Sequence, residues 1–126
     1  MLLVVPVLLL LAVADAGQQL REGLVALQKN DLAHARALLE SASRANPNSP
    51  EILVALAQTY RKMALNDLAS STAVTAERFA DNNPQVLHEL AIFYRDAGEL
   101  DQAAGLETRY SEVDPHGVWE SWRAIR

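Results

Sequence analysis

"LVALAQTYR" (residues 53–61) and "LHELAIFYR" (residues 87–95) are two copies of one pattern. Leu53 and Leu87, Leu56 and Leu90, Ala57 and Ala91, Tyr60 and Tyr94, and Arg61 and Arg95 pair off, each offset by 34. Five identities in nine positions at one fixed offset mark an internal repeat. The apolar members fall at i, i+3, i+4 and i+7, which is one face of an α-helix. Pro50 and Pro84 keep the same offset and stand where a helix would begin, a place that tolerates the missing N–H. Counting back by the same offset puts a first copy at residue 16. The chain then divides into units 16–49, 50–83 and 84–117, with a short tail left over.

Each unit has a second half. In the first, Asn30 and Asp31 precede an apolar face of Leu32, Ala35, Leu38, Leu39 and Ala42, with Asp31 as N-cap and Pro47 closing the segment. In the third, Ala97-Gly98 ends one helix, and Leu100, Ala103, Ala104 and Leu106 open the next before Pro115. Neither helix of such a pair can bury its apolar face alone. Each therefore folds back on its mate, and each pair stacks on the next. The expectation is an all-α chain of seven helices: three antiparallel pairs and a last helix over 118–126.

This pattern resembles the tetratricopeptide repeat (TPR) family, whose 34-residue helix-turn-helix carries a large residue, Leu-Gly/Ala and Tyr in its first helix. Leu53, Leu56-Ala57 and Tyr60 match in unit two, and Leu87, Leu90-Ala91 and Tyr94 in unit three. Gly23, Ala35, Leu39, Ala42 and Pro47 match in unit one, and Ala103 and Pro115 in the second half of unit three. The resemblance covers about 100 residues and implies a short α-solenoid of three repeats. It also implies close helix crossings at Gly23, Ala57 and Ala91. Several positions depart from the pattern. Gln19 and Glu22 replace leucines, Tyr110 replaces a small alanine, and "STAVTAERFADNN" has no closing proline. The string "NDLA" at 66–69 is offset by 36 from its twin at 30–33, which predicts a slightly longer turn in unit two, by one or two residues.

Composition bounds the function. Half of the 126 residues are hydrophobic, 21% are charged and 6% are aromatic, as suits one small helical domain. A net charge of −5 argues against nucleic acid as the main partner, because duplex binding needs a basic surface. With no cysteine there are no disulfides, zinc-thiolate sites or thiol catalysis. His34, His88 and His116 have no metal-pair spacing, and neither a G-x-S-x-G motif nor a P-loop is present. His34 lies three residues from Asp31, a local pairing at a helix start. No catalytic residue, metal site or cofactor is expected.

The first 16 residues (1–16) are of another kind. An unbroken apolar run from Leu2 to Ala14 ends at Ala14-Asp15-Ala16, an A-x-A cleavage pattern. The run is shorter than the roughly 20 residues that span a bilayer as a helix. Its length and small-residue end fit a signal peptide cut before Gly17, although no positive residue follows Met1. The expectation is a periplasmic or secreted protein with no membrane span after cleavage. A cytoplasmic protein in which the run is a buried core helix is the alternative.

In the family that it resembles, first helices line a concave groove. The resemblance places Val54, Gln58, Arg61 and Lys62 of unit two there. Unit three contributes His88, Glu89, Ile92, Arg95 and Asp96, and unit one contributes Leu20, Leu24 and Leu27 as an apolar end. Family members that clamp a chaperone's terminal carboxylate use a lysine and asparagines in the first helices. Leu20 and Leu24 at the matching first-unit positions argue against that role. Arg61, Lys62 and Arg95 instead suit a protein or peptide with acidic side chains or a C-terminal carboxylate. The function expected is an exported interaction module or scaffold, and its alternative a self-associating structural solenoid. In the tail "GVWESWRAIR" (117–126), Val118, Trp122 and Ile125 share helical spacing. Three readings stay open there: a capping helix, an interface anchor through Trp119 and Trp122 that supports homo-oligomers, or the start of a fourth repeat.

Overall fold

The computed structural model describes the backbone of residues 4–117 and the side chains of residues 15–117. Six helices follow one another: α1 (Val4–Gln28), α2 (Leu32–Ala45), α3 (Pro50–Lys62), α4 (Asn66–Phe79), α5 (Pro84–Asp96) and α6 (Leu100–Val113). No strand occurs among the described residues. The all-α helix-turn-helix architecture is the one expected. The seventh helix, expected over 118–126, lies outside the described residues.

The repeat period governs every boundary. α2, α4 and α6 are of equal length and begin 34 apart, and α3 and α5 are likewise equal and begin 34 apart. The same local chemistry sets these ends. Ser49 and Asn83 accept hydrogen bonds from the N–H groups of Ile52 and Val86, and Pro50 and Pro84 follow at the first helical position. Asp31 accepts from the His34 N–H at 3.4 Å, the N-cap expected of it.

Three-residue turns separate α1 from α2, α3 from α4 and α5 from α6. In each, the middle residue adopts a left-handed conformation: Asn30 (φ 59°), Ala64 (φ 61°) and Gly98 (φ 81°). The residue after it donates back five positions, Asp31 to the Ala26 carbonyl, Leu65 to Tyr60 and Glu99 to Tyr94, at 2.8–2.9 Å. This ending occupies carbonyls that a helix terminus would otherwise leave unsatisfied. The longer turn expected in unit two is therefore corrected. The two "NDLA" strings are not equivalent, because Asn30 is the left-handed turn residue and Asn66 opens α4. Ala64 holds the position of Asn30, at the cost of a β-carbon in left-handed space.

The chain forms two compact units, residues 1–76 and 77–126, and the division falls within α4. In the first, α2 packs against α1 and α3, and α1 also touches α3. α3 is buried at Ile52, Leu53, Val54, Ala55, Leu56, Ala57, Thr59 and Tyr60, far more than a single apolar stripe. The buried hydroxyl of Thr59 donates to the Ala55 carbonyl at 2.8 Å. Gly23 faces Leu39, and a β-carbon built on it would lie 2.8 Å from Leu39 Cγ and Cδ2. That is the close crossing its small size implied. In the second unit, α5 packs on α6, and Val86, Leu87, Leu90, Ala91, Phe93, Ala103 and Leu106 are buried. The Phe93 and Tyr94 rings meet edge to face at 5.3 Å.

Candidate functional site

The surfaces that can meet a partner are those the first helices leave open. On α3, Lys62 is exposed and Gln58 and Arg61 are half-buried. Val54 is fully buried and offers no surface, so its expected place in the groove is corrected. The cause is that α3 is covered on more than one side. On α5, Arg95 and Asp96 are exposed, and His88, Glu89 and Ile92 are half-buried. Arg61 and Arg95 are each the penultimate residue of their helix, so the repeat gives them one register position.

Arg95 is exposed but has a partner. Its guanidinium pairs with Glu107 of α6, tying the two helices at the surface. His88 lies against the Tyr110 ring, with centroids 5.5 Å apart and the planes tilted by 46°. The tyrosine that departs from the family pattern thus finds its neighbour on α5. Its hydroxyl donates to Asp114 at 3.1 Å.

The three leucines expected to form an apolar end separate. Leu27 is buried in the packing of unit one, and Leu20 packs against the cluster of Ala16, Ala42 and Ile52. Leu24 alone is open, at 40% exposure, and its open neighbour is Val25, at 48%. Beside Val25 lies a cavity of about 410 Å³ lined by Arg21, Glu22, Val25, Ala26, Lys29, Asp31 and His34.

Sequence reasoning missed this cavity, yet the repeat carried its signal. One period later, Arg21, Glu22, Lys29, Asp31 and His34 become Ala55, Leu56, Met63, Leu65 and Leu68. α1 is charged where its counterpart helix is apolar. A terminal repeat needs a polar outer face of this kind to stay soluble.

A second missed feature links α2 to α3. The Tyr60 hydroxyl donates to Glu40 Oε1 at 2.8 Å, and Arg36 Nε pairs with the same oxygen at 2.7 Å. The Arg36 guanidinium also lies over the Tyr60 ring, 5.5 Å from its centroid. The hydrogen bond from Arg36 holds the Glu40 carboxyl below its usual range. Burial, helped by the bond to Glu40, pushes the Tyr60 phenol up to about 12. Tyr94 shifts in the same direction: burial first, and then the nearby Glu77 and Glu99, push it up to about 12. Glu77 also lies 4.0 Å from Arg109, which donates to the Asp81 carbonyl at 2.9 Å. The tyrosines were visible as a repeated pair. Their carboxylates were not, because Glu40 and Glu77 are offset by 37 rather than 34.

Among the described residues no cluster of three or more His, Asp or Glu is arranged to hold a metal ion. No described helix is long and apolar enough to cross a membrane. No curated protein matches the chain. A family model described as tetratricopeptide repeat matches residues 26–87, from the end of α1 into the start of α5. Repeats of this kind generally form scaffolds that mediate protein–protein interaction. The match spans α2, α3 and α4, and α5 and α6 continue their repeat register and left-handed turns, so the helix-turn-helix stretch is similar to tetratricopeptide repeats.

Proposed function

We propose that the chain is an exported interaction module or scaffold that takes an acidic or carboxylate-ended segment of a partner protein along the first helices of its repeats. The supporting observation is the shared register of Arg61 and Arg95, with Lys62 beside the first, on helices of a chain whose net charge is −5. Guanidinium forks suit carboxylates because two parallel N–H donors meet two oxygens. Leu24 and Val25 add exposed apolar surface on α1. Export is supported by the apolar run ending at Ala14-Asp15-Ala16. Self-stacking through the α1 end is disfavoured by its charged residues Arg21, Glu22 and Lys29, which would have to be desolvated.

The test is binding of labelled acidic peptides, with free or amidated C-termini, to the full chain by fluorescence anisotropy. The double variant Arg61→Ala, Arg95→Ala is expected to bind at least tenfold more weakly, about 1.4 kcal/mol. Added salt should weaken the wild type in parallel. Unchanged affinity in the double variant would move the site to Leu24 and Val25 on α1. Export is tested separately by the mass of the protein recovered from its host, which should begin at Gly17.

A further inference from the structure

α1 runs without a break from Val4 to Gln28, so the Ala16–Gly17 bond lies within a helix rather than in a loop. The Ala16 side chain is 1% exposed and packs with Ala42 of α2 and Ile52 of α3, with Leu20 and Ala45 around them. Gln19 Nε2 donates to Ser41 Oγ at 2.9 Å and clamps the same stretch of α1 to α2. Another side of the helix is open, where Asp15, Gln18, Gln19, Glu22 and Leu38 line a cavity of about 260 Å³. A peptidase approaching from there meets Asp15, whereas the small residue that it must read points into the core.

From this burial we infer that folding of unit one blocks cleavage after Ala16: the bond is cut only before α1 docks on α2 and α3. The inference rests on the exported reading, since it concerns the bond that reading assigns to a signal peptidase. The step is hydrolysis: water adds across the Ala16–Gly17 amide, the C–N bond breaks, and an Ala16 carboxylate and a Gly17 amine result. Proteases cut exposed and locally unfolded segments, and a buried helical bond reaches them only through opening. A chain that folds first therefore keeps its apolar segment as the front half of a helix of 25 residues. Cleavage before folding yields a shorter α1 and a core without the Ala16 methyl group.

The test uses the purified full chain incubated with a purified signal peptidase and followed by intact mass. Wild type, folded by circular dichroism, is compared with Ala42→Asp, which puts a carboxylate beside Ala16 and undocks α1 without touching the cleavage motif. If that variant keeps its helical signal, Ile52→Asp is added to it. The expected result is loss of residues 1–16 at least tenfold faster from the undocked chain than from wild type. Equal rates while wild type is folded would overturn the inference and leave the exported reading standing. A chain cut at this bond in no state would overturn both.

Discussion

Replacing Gly23 with alanine sets two known effects against each other, and the structure says which wins. In an exposed helix interior the change stabilises by about 1 kcal/mol, because glycine has more backbone freedom to lose on folding. At Gly23 the new methyl would sit 2.8 Å from both Cγ and Cδ2 of Leu39, well inside van der Waals contact. Leu39 has no exposed surface and little room to turn away. Overpacking of this kind costs about 1–3 kcal/mol. The net expectation is destabilisation by about 0–2 kcal/mol, the overpacking cost less the propensity gain. Gly105, in α6, is the internal control, since a β-carbon there has nothing within 4 Å. Gly105→Ala should show the propensity gain alone and stabilise. Urea unfolding followed by circular dichroism reads both as shifts in midpoint at constant slope. A cycle with Leu39→Ala isolates the contact, because Gly23→Ala should stabilise once the leucine branch is gone. The reasoning is refuted if Gly23→Ala in the wild-type background stabilises as much as Gly105→Ala does.

Tyr60 and Tyr94 should titrate near pH 12 by ultraviolet absorbance. Because each folded value is raised above the unfolded one of about 10, their stabilising contribution is complete below about pH 10 and lost as pH rises to about 12. For the lowered Glu40 the sign reverses, so its contribution is present at neutral pH and fades as pH falls through the acid range; Tyr60→Phe should reduce both effects. Ser49→Ala and Asn83→Ala should each destabilise by about 1 kcal/mol in the same urea assay, since each removes the oxygen that caps α3 or α5. Arg95→Ala should cost no more than about 1 kcal/mol, because its pair with Glu107 is open to solvent. Any larger loss would mean that the arginine holds α5 on α6.

What the residues made legible was the period. Leu53, Leu56, Ala57 and Tyr60 show it because a helix face repeats every turn and a stack of equal units repeats at one fixed offset. The caps at Ser49 and Asn83 share that offset. The misread turn shows where identity misleads: "NDLA" recurs as letters, but backbone conformation aligns Asn30 with Ala64 and Gly98. Val54 was misplaced for a different reason. Periodicity reveals one buried stripe, and α3 is buried on more than one side, which only the packing of its neighbours determines. The α1 cavity was readable in principle, by asking which positions turn from apolar to charged between copies. That comparison needs the register first.

The link between Tyr60 and Glu40 explains how a small-residue interface holds one alignment. α2 buries Ala35, Leu39 and Ala42, and α4 buries Ala69, Ala73 and Ala76. Alanine methyls let helices approach closely but interlock little, so sliding by a turn would sacrifice few dispersion contacts. A hydrogen bond to a charged group is worth more than a neutral one, and its length tolerates little movement. Glu40 receives both Tyr60 and Arg36, so a shift of α3 along α2 would strand a partly buried carboxylate and a buried phenol together. Between α2 and α3 the Glu40 carboxylate therefore supplies register where the alanines supply proximity.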